Sequence, residues 1–536
     1  MTARPGDLLE DLRVAARFFP RLPGFLRRQV TGAEARATVR GWLANREADF
    51  LDLVRDRVYA SPASPYRALL RHAGCEPGDL ERLVRLEGVE ATLTALWRQG
   101  VYLTVEEFKG RRPLVRGGRT IPVEPALLVN PGAVVHVLGH SSGSRGPKTT
   151  VPLDLAWVHD HAMARRLVLE ARGALDWRHA VWGAPGGSEL VIVLRFAVVG
   201  APPEHWFSQP DPRDPELAAR FRWSWRGLRW GSLLAGRPLP VPRHAPLERP
   251  EVIVDWMAEC LRAGSVPHLK TYASAAIGLC QAASARGVDL SGARFTLTGE
   301  PLTVARQAVL EKAGIEARPD YGGIEMGQVG EACIRPTAPD DLHVMDHIHA
   351  VIQAGGDGPA RGLPPNALLL TSLRRTAPLI FLNVSLGDAA TLERRSCGCP
   401  METHGWGRHL HDVRSFEKLT SAGMTFLDVD VIRILDEILP ARLGGVPGQY
   451  QLVEDELPDG RPRVRLLIHP AVGPVDPALA RATFMAALAS GSDTHRSMAA
   501  TWREAGLVEI ERRHPVTETI GKILHLRTTR RPSVRP

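Results

Sequence analysis

Lysine is scarce in this chain. Of 67 Lys plus Arg residues only six are lysines: Lys109, Lys148, Lys270, Lys312, Lys418 and Lys522. Codon bias can make arginine the default cation, so a lysine retained against it deserves inspection as a compact charge on a flexible stem. Long apolar runs are missing too. The longest, 190–199 (LVIVLRFAVV), is about half of a membrane span and carries Arg195 in its middle. The opening MTARPGDLLEDLRVAARFF alternates acids and bases where a signal peptide needs uninterrupted apolar residues, so no membrane span and a cytoplasmic location are expected. Like-charge runs are short outside the tail RTTRRPSVRP, and a net charge of +8 over 536 residues is mild, which argues against nucleic acid as a partner. Six cysteines in such a chain are expected as thiols or metal ligands, not disulfides.

What is present is a globular composition. With 44% hydrophobic residues the chain is neither disordered nor collagen-like, and its length allows roughly three or four compact units. Residues 1 to 120 read as mostly helical, with apolar positions at three and four spacing in DLLEDLRVAARFF and YRALLRHAG and a break at SPASP, 61–65. Short apolar strands are expected at 133–138 (AVVHVL), 189–196 (ELVIVLRF), 293–299 (ARFTLTG) and 367–373 (ALLLTSL). A helix is expected at 250–264, and together these have the alternation of an α/β domain. The Pro- and Trp-rich stretch 201–250 reads as a surface excursion, either a lid or an interface. From 414 onward, helix (DVDVIRILDEIL), strands (YQLVEDE, RVRLLIH), helix (PALARATFMAALAS) and strand (LVEIERR) describe a separate small α+β unit.

The strand-like AVVHVLG runs into Ser141, Ser142, Gly143, Ser144, Arg145, Gly146, Pro147, Lys148 and Thr149. Small hydroxyls and glycines let backbone amides approach an anion, and one lysine closes the loop. The spacing is not that of a Walker A loop. A flexible connector would account for the small residues, but not for Pro-Lys-Thr-Thr after them. Further on, FTLTGEP ends in Gly299, Glu300 and Pro301, and twenty residues later come Tyr321, Gly322, Gly323, Ile324 and Glu325. A tyrosine and glycines ahead of one carboxylate would serve as a ledge for a purine beside a Mg²⁺ ligand.

These stretches, in this order, resemble the adenylate-forming superfamily of acyl-CoA synthetases and relatives, specifically its phenylacetate–CoA ligase and acyl-protein-synthetase branch. The opening SPYRALLRHAGCEPGDLERL is similar to that branch's first helices, and the resemblance covers about 50 to 530. It implies a large N-terminal α/β domain with mixed sheets (1–120 its helical part, 121–413 the adenylation core) and a small mobile α+β C-terminal domain, 414–536. It implies that 141–149, Lys148 included, hold the ATP phosphates and that Gly299, Glu300 and Pro301 flank the adenine. It further implies that Tyr321 beside Gly322 stacks on the ring, Glu325 binds Mg²⁺ and Asp388 bridges the ribose hydroxyls. Arg414 and Gly423 match the family's hinge strand, but Phe416 stands where the hinge has Asp and Glu417 follows. Pro515, Thr517, Gly521 and Lys522 are similar to its terminal motif, whose lysine bridges the acid and the α-phosphate.

Cys333, His343, Cys397 and Cys399 make a Cys₃His set of the kind that closes around zinc, and some members of the resembled branch carry such a site; two unrelated buried thiols and a turn remain the alternative. His159, Asp160 and His161 read as a polar helix start. The activity implied is conversion of a carboxylic acid and MgATP to acyl-AMP and pyrophosphate, followed by transfer to coenzyme A. The alternative acceptors are an amine, a carrier protein or the chain's own thiol, for which Cys260 and Cys280 are the candidates; a non-catalytic nucleotide-binding relative is the third reading. The Trp- and Arg-rich 176–230 suits an aromatic or bulky acid, and a homodimer is left open.

Overall fold

A computed structural model of the chain describes residues 5–140, 150–183, 186–212, 225, 227–355, 363–416, 420–421, 424–425, 429–456, 462–490, 502, 508–517 and 522–529. Among the described residues the principal sheet has ten strands: β1 (Arg178–Gly183), β2 (His205–Ser208), β3 (Pro242–His244), β4 (Pro267–Thr271), β5 (Arg294–Leu297), β6 (Glu316–Gly323), β7 (Gly327–Ala332), β8 (Leu342–Val344), β9 (Asp388–Arg394) and β10 (Arg408–Ser415). They lie in the order β9-β10-β8-β7-β6-β5-β4-β1-β2-β3. The half from β6 to β3 is parallel, and the half from β6 to β9 is antiparallel. Strand β6 is therefore the seam. Parallel strands need crossover segments, and helices Glu251–Arg262 and Ala273–Ala285 supply two of them.

Around residues 1–120 the expected helices are present, from Pro5–Arg27 to Pro77–Arg98, with the predicted break before Pro65–His72. Pro65 sits at the helix start, where its missing N–H costs nothing. A small hairpin, Leu114–Arg116 with Arg119–Ile121, interrupts the helical part. The helical layer and the antiparallel half share one core; the helices on the parallel half enclose a second. A third core belongs to the C-terminal unit, whose four strands β11 (Tyr450–Glu456), β12 (Pro462–Ile468), β13 (Val508–Arg512) and β14 (Leu526–Thr529) lie in the order β13-β12-β11-β14 against helix Pro477–Ala489. This is the large α/β part and small α+β part expected. No helix among the described residues is long and apolar enough to cross a membrane.

Four local expectations are corrected. The run 189–196 is not a strand but lies in helix Gly187–Val198. A continuous apolar run reads the same for a buried strand and a buried helix, and here the helix packs on helix Leu155–Ala171. Its start is wedged so close to the strand Val137–His140 that a Cβ on Gly187 would lie 2.4 Å from the Leu138 carbonyl oxygen. The strand expected at 133–138 begins only at Val137. The 201–250 excursion contributes β2 and β3, with Trp206 and Phe207 buried. His159, Asp160 and His161 lie inside helix Leu155–Ala171, which starts earlier, where the Asp154 side chain accepts from the Ala156 N–H. Both imidazoles are buried, and Asp160 accepts a 2.6 Å hydrogen bond from the Thr376 hydroxyl.

At the seam, side chains from helix Leu155–Ala171 and strands β4, β6 and β7 build a buried ion cluster. Arg165 is 2.7 Å from Glu331 and 3.5 Å from Asp320; Arg172 is 3.7 Å from Glu331; Lys270 contacts Asp320 directly. Burial alone would raise the Asp320 carboxyl, but Lys270 and Arg165 hold it below the usual range. Removing one partner of such a cluster strands charge in the interior. Glu331→Ala, which takes the carboxylate from between Arg165 and Arg172, is expected to destabilise the protein by about 3–5 kcal/mol. A fall in the urea midpoint followed by tryptophan fluorescence would show this, whereas an unmoved midpoint would contradict it.

Candidate active site

The carboxyl ends of β5 and β6 open onto a cleft of about 160 Å³ between the sheet and the C-terminal unit. Ligands of open α/β sheets bind outside the carboxyl ends of the strands. Gly299, Glu300 and Pro301, leaving β5, line one wall. Tyr321 and Gly322, at the end of β6, line the next, and Asp388 at the start of β9 faces them. Lys522 and His525 close the cleft from the C-terminal unit. Gly322 is required by its surroundings: a Cβ would sit 2.3 Å from the Gly327 carbonyl oxygen, inside the turn joining β6 to β7.

Tyr321 and Asp388 are joined. The phenol hydroxyl donates to Asp388 Oδ2 at 3.0 Å, and burial with the adjacent carboxylate pushes the phenol pKa well above its ordinary value. A neutral phenol therefore fixes the orientation of the Asp388 carboxylate, leaving its other oxygen directed by the same bond. Arg414 does not line the cleft. Its guanidinium is 2.9 Å from Asp340 Oδ2, and Asp340, which does line the cleft, also accepts from the N–H groups of Asp412 and Val413. Glu325 lies in the turn beyond Tyr321, its Oε2 beside Gly323. The residues expected to hold phosphate, Ser141, Ser142, Gly143, Ser144, Gly146, Lys148 and Thr149, lie outside the described residues. Their flanks are described: Val137–His140 and Thr150–Leu153 pair antiparallel with His140 opposite Thr150. Gly139 packs so tightly on Ile324 that a Cβ would lie 2.5 Å from its Cγ1, which brings this hairpin against the Tyr321–Glu325 turn.

Lys522 reaches over Gly299. A Cβ at that glycine, whose φ is +71°, would sit 2.5 Å from the lysine Cε and 2.6 Å from Nζ. Nζ is also 5.4 Å from the centroid of Tyr272. The Tyr272 hydroxyl donates to Glu189 at 3.3 Å, and burial pushes the Glu189 carboxyl up to about 7 against the pull of Tyr272, Lys522 and Lys270. The Glu300 carboxylate does not face open space. Oε1 accepts from the Ser274 hydroxyl at 2.8 Å and the Ile523 N–H at 3.0 Å, while Oε2 accepts from the Ser274 N–H at 2.8 Å and Arg306 at 3.1 Å.

Cys333, His343, Cys397 and Cys399 converge, with all four ligand atoms within 4.8 Å of one another. His343 Nε2 is 3.2 Å from Cys399 Sγ and 3.7 Å from Cys397 Sγ. Tetrahedral zinc requires ligand separations of ~3.5–3.8 Å, so the donor set fits that ion. The imidazole is aimed by its other nitrogen, which donates to the Trp406 carbonyl at 2.7 Å and leaves the Nε2 lone pair toward the thiols. A second grouping of Cys333, Asp341 and His409 is already committed elsewhere, since Asp341 pairs with His409 and Arg395.

Cys260 and Cys280 are buried in the second core and do not line the cleft; burial pushes the Cys280 thiol up to about 12. Phe416 follows β10, is buried, and donates its N–H to the Gly387 carbonyl at 2.9 Å. Glu417 and Gly423 lie outside the described residues. Sequence reading missed Asp320, Asp340, Glu189, Arg306, Asp436 and His525. Asp320 directly precedes Tyr321, Arg306 follows Pro301 by five residues and His525 follows Lys522 by three, so these were within reach of the motifs; Asp340, Glu189 and Asp436 come from distant segments that carry no spacing signal.

No protein-family model matches the sequence, and no curated protein matches it. Among solved structures, 2-hydroxyisobutyryl-CoA ligase in the postadenylation state with 2-HIB-AMP is similar, at TM-score 0.52 and 14% identity over 95% of this chain and 91% of that one. The same ligase in that state with R3-HIB-AMP gives the same values. At this identity the likeness is one of fold, over nearly the full length of both chains. The chain has the fold of the adenylate-forming ligases.

Proposed function

We propose that the protein activates a carboxylic acid with MgATP to an acyl-adenylate, releasing pyrophosphate, and then passes the acyl group to coenzyme A or another thiol or amine acceptor. The observation that carries this reading is Lys522, a cation from the C-terminal unit, set over Gly299 in the same cleft as the Tyr321–Asp388 pair. Adenylation brings two anions together: a carboxylate oxygen attacks the α-phosphorus, and the bond to the bridging oxygen of pyrophosphate breaks. A cation between them stabilises the charge that gathers in the transition state, and a mobile ammonium can follow it. Asp388 would accept the ribose hydroxyls, oriented by Tyr321, whose ring beside Gly322 offers the face for adenine. The 141–149 segment with Lys148 would take the phosphates, and Mg²⁺ held by Glu325 would neutralise part of their charge. In the second half-reaction the acceptor attacks the acyl carbonyl and AMP leaves. Because Cys260 and Cys280 are buried away from the cleft, an external acceptor is favoured over the chain's own thiol.

Pyrophosphate release over a panel of carboxylic acids, with and without coenzyme A, tests the reading. Lys522→Ala is expected to lower adenylation by about two orders of magnitude, the scale for losing one preorganised charge contact, with ATP affinity little changed. Full acyl-AMP formation in this variant would reject the role given to Lys522.

For the Cys₃His set we propose one structural Zn²⁺ tying the β7–β8 connection to the turn after β9. Purified protein should contain about one equivalent, lost in Cys397→Ser/Cys399→Ser together with thermal stability. Metal-free protein with unchanged melting would remove the site.

The unit from 414 onward is proposed to move between half-reactions, with Phe416 at the hinge position. An apolar side chain anchored in the core makes a large backbone change there more costly than an exposed Asp would. Acyl-AMP should therefore accumulate before transfer to coenzyme A, or the acceptor is a different thiol or amine. A single-turnover quench with saturating coenzyme A measures this, and immediate complete conversion to thioester would refute it.

A further inference from the structure

The C-terminal unit touches the large part through a cluster of charges instead of a simple apolar seam. Asp436, in the helical turn Ile434–Ile438, is fully buried. Its Oδ1 accepts from the Gly448 N–H at 3.2 Å within its own unit, while Oδ2 faces outward. That oxygen lies 3.1 Å from Arg306 Nε and 3.4 Å from the Thr303 hydroxyl, both from helix Val304–Lys312 and its cap, and 2.9 Å from His525 Nε2. Arg306 also reaches Glu300 at 3.1 Å, and its other terminal nitrogen is 3.2 Å from His525. Burial would raise the Asp436 carboxyl; Arg306 and His525 overcome it and hold the group well below the usual carboxylate range.

We infer that Glu300, Arg306, Asp436 and His525 form a clasp between the two parts that sets Lys522 in the cleft, acting as positioning residues for the lysine. The inference rests on the adenylation reading only for what Lys522 does there. Lys522 precedes Ile523, whose N–H is bound by Glu300, and His525 three residues on, whose ring is bound by Asp436. The segment carrying the lysine is thus pinned to the large part at one of its own amides and to both parts through one imidazole. Gln451 of β11 holds the same segment from behind, donating to the Leu524 carbonyl at 2.8 Å. A single turn supplies both requirements: Gly299 leaves room for the ammonium, and Glu300 anchors its backbone.

A structural contact would be served as well by packed apolar residues, and a buried ion cluster is often no more stable than they are. What it adds is direction. Asp436 and Arg306 approach correctly in one relative placement of the two parts, and any rotation separates a buried carboxylate from a buried guanidinium and exposes both to water. The clasp therefore selects the placement in which Lys522 is in the cleft.

The test uses the full chain without substrate. Hydrogen–deuterium exchange of 522–529 and the acetylation rate of Lys522 are followed by mass spectrometry in wild type, Asp436→Asn, Arg306→Gln and the milder Arg306→Lys. Both the local exchange and the acetylation should rise about tenfold or more in Asp436→Asn and Arg306→Gln, and less in Arg306→Lys, with β5 unchanged. Glu311→Gln, exposed on the same helix, should change neither. Unchanged rates, or a uniform rise across the chain, would overturn the clasp. These readouts do not depend on catalysis: if Lys522→Ala retained adenylation while the clasp variants freed the segment, the function would fall and the clasp would stand. With an acid that supports pyrophosphate release, Asp436→Asn should lower the turnover rate about tenfold with the KM for ATP nearly unchanged, and Asp436→Glu should restore part of it.

Discussion

Strand β6 has a parallel neighbour on one side and an antiparallel neighbour on the other, and the site depends on that arrangement. Its carboxyl end lies beside the Gly299–Glu300–Pro301 turn that leaves β5, and the cleft opens there. The hairpin into β7 then turns the chain back and brings the antiparallel strands, with Asp388 at the mouth of β9, to the same place. Beneath the seam the Lys270–Asp320–Arg165–Glu331 cluster fastens a helix to both halves of the sheet. Burying four ionic groups is costly in isolation; it is tolerable because each carboxylate has a cation in contact and each cation a carboxylate.

The upper face of the cleft obeys different rules. Tyr321 and Asp388 belong to one rigid sheet, so their bond is preorganised before any ligand arrives. Lys522 belongs to the other part and reaches its place through a backbone segment held by charge. Fixed acceptors on the sheet and a delivered cation from the small part divide the tasks that joining a carboxylate to a nucleotide phosphate would require: orientation from one side, charge compensation from the other.

Legibility in the sequence followed chemistry more than periodicity. The turns at Gly299–Glu300–Pro301 and Tyr321–Gly322 were visible because tight backbone approach tolerates few residue types, and both glycines do sit where a Cβ would collide. The Cys₃His set was visible because thiols are rare in this chain, and its four members do converge although 333 and 399 lie far apart in sequence. The run 189–196 misled because its apolar residues are buried on almost every face, which erases the period that separates helix from strand. Glu300 was read as a wall of the nucleotide site, yet its carboxylate is occupied by Ser274, Arg306 and Ile523.

The alternation of apolar strands and helices, with the resemblance carried by the glycine-rich turns and Lys522, was enough to set the fold class, since those features are local and their residue types are dictated by backbone space and charge. The partners of each charge were not. Asp340 with Arg414, and Asp436 with Arg306 and His525, join segments from 74 to 219 residues apart, and no local pattern encodes such pairings. Only the tertiary structure decides them, because a buried charge must find a counter-charge wherever the packed chain happens to bring one within reach.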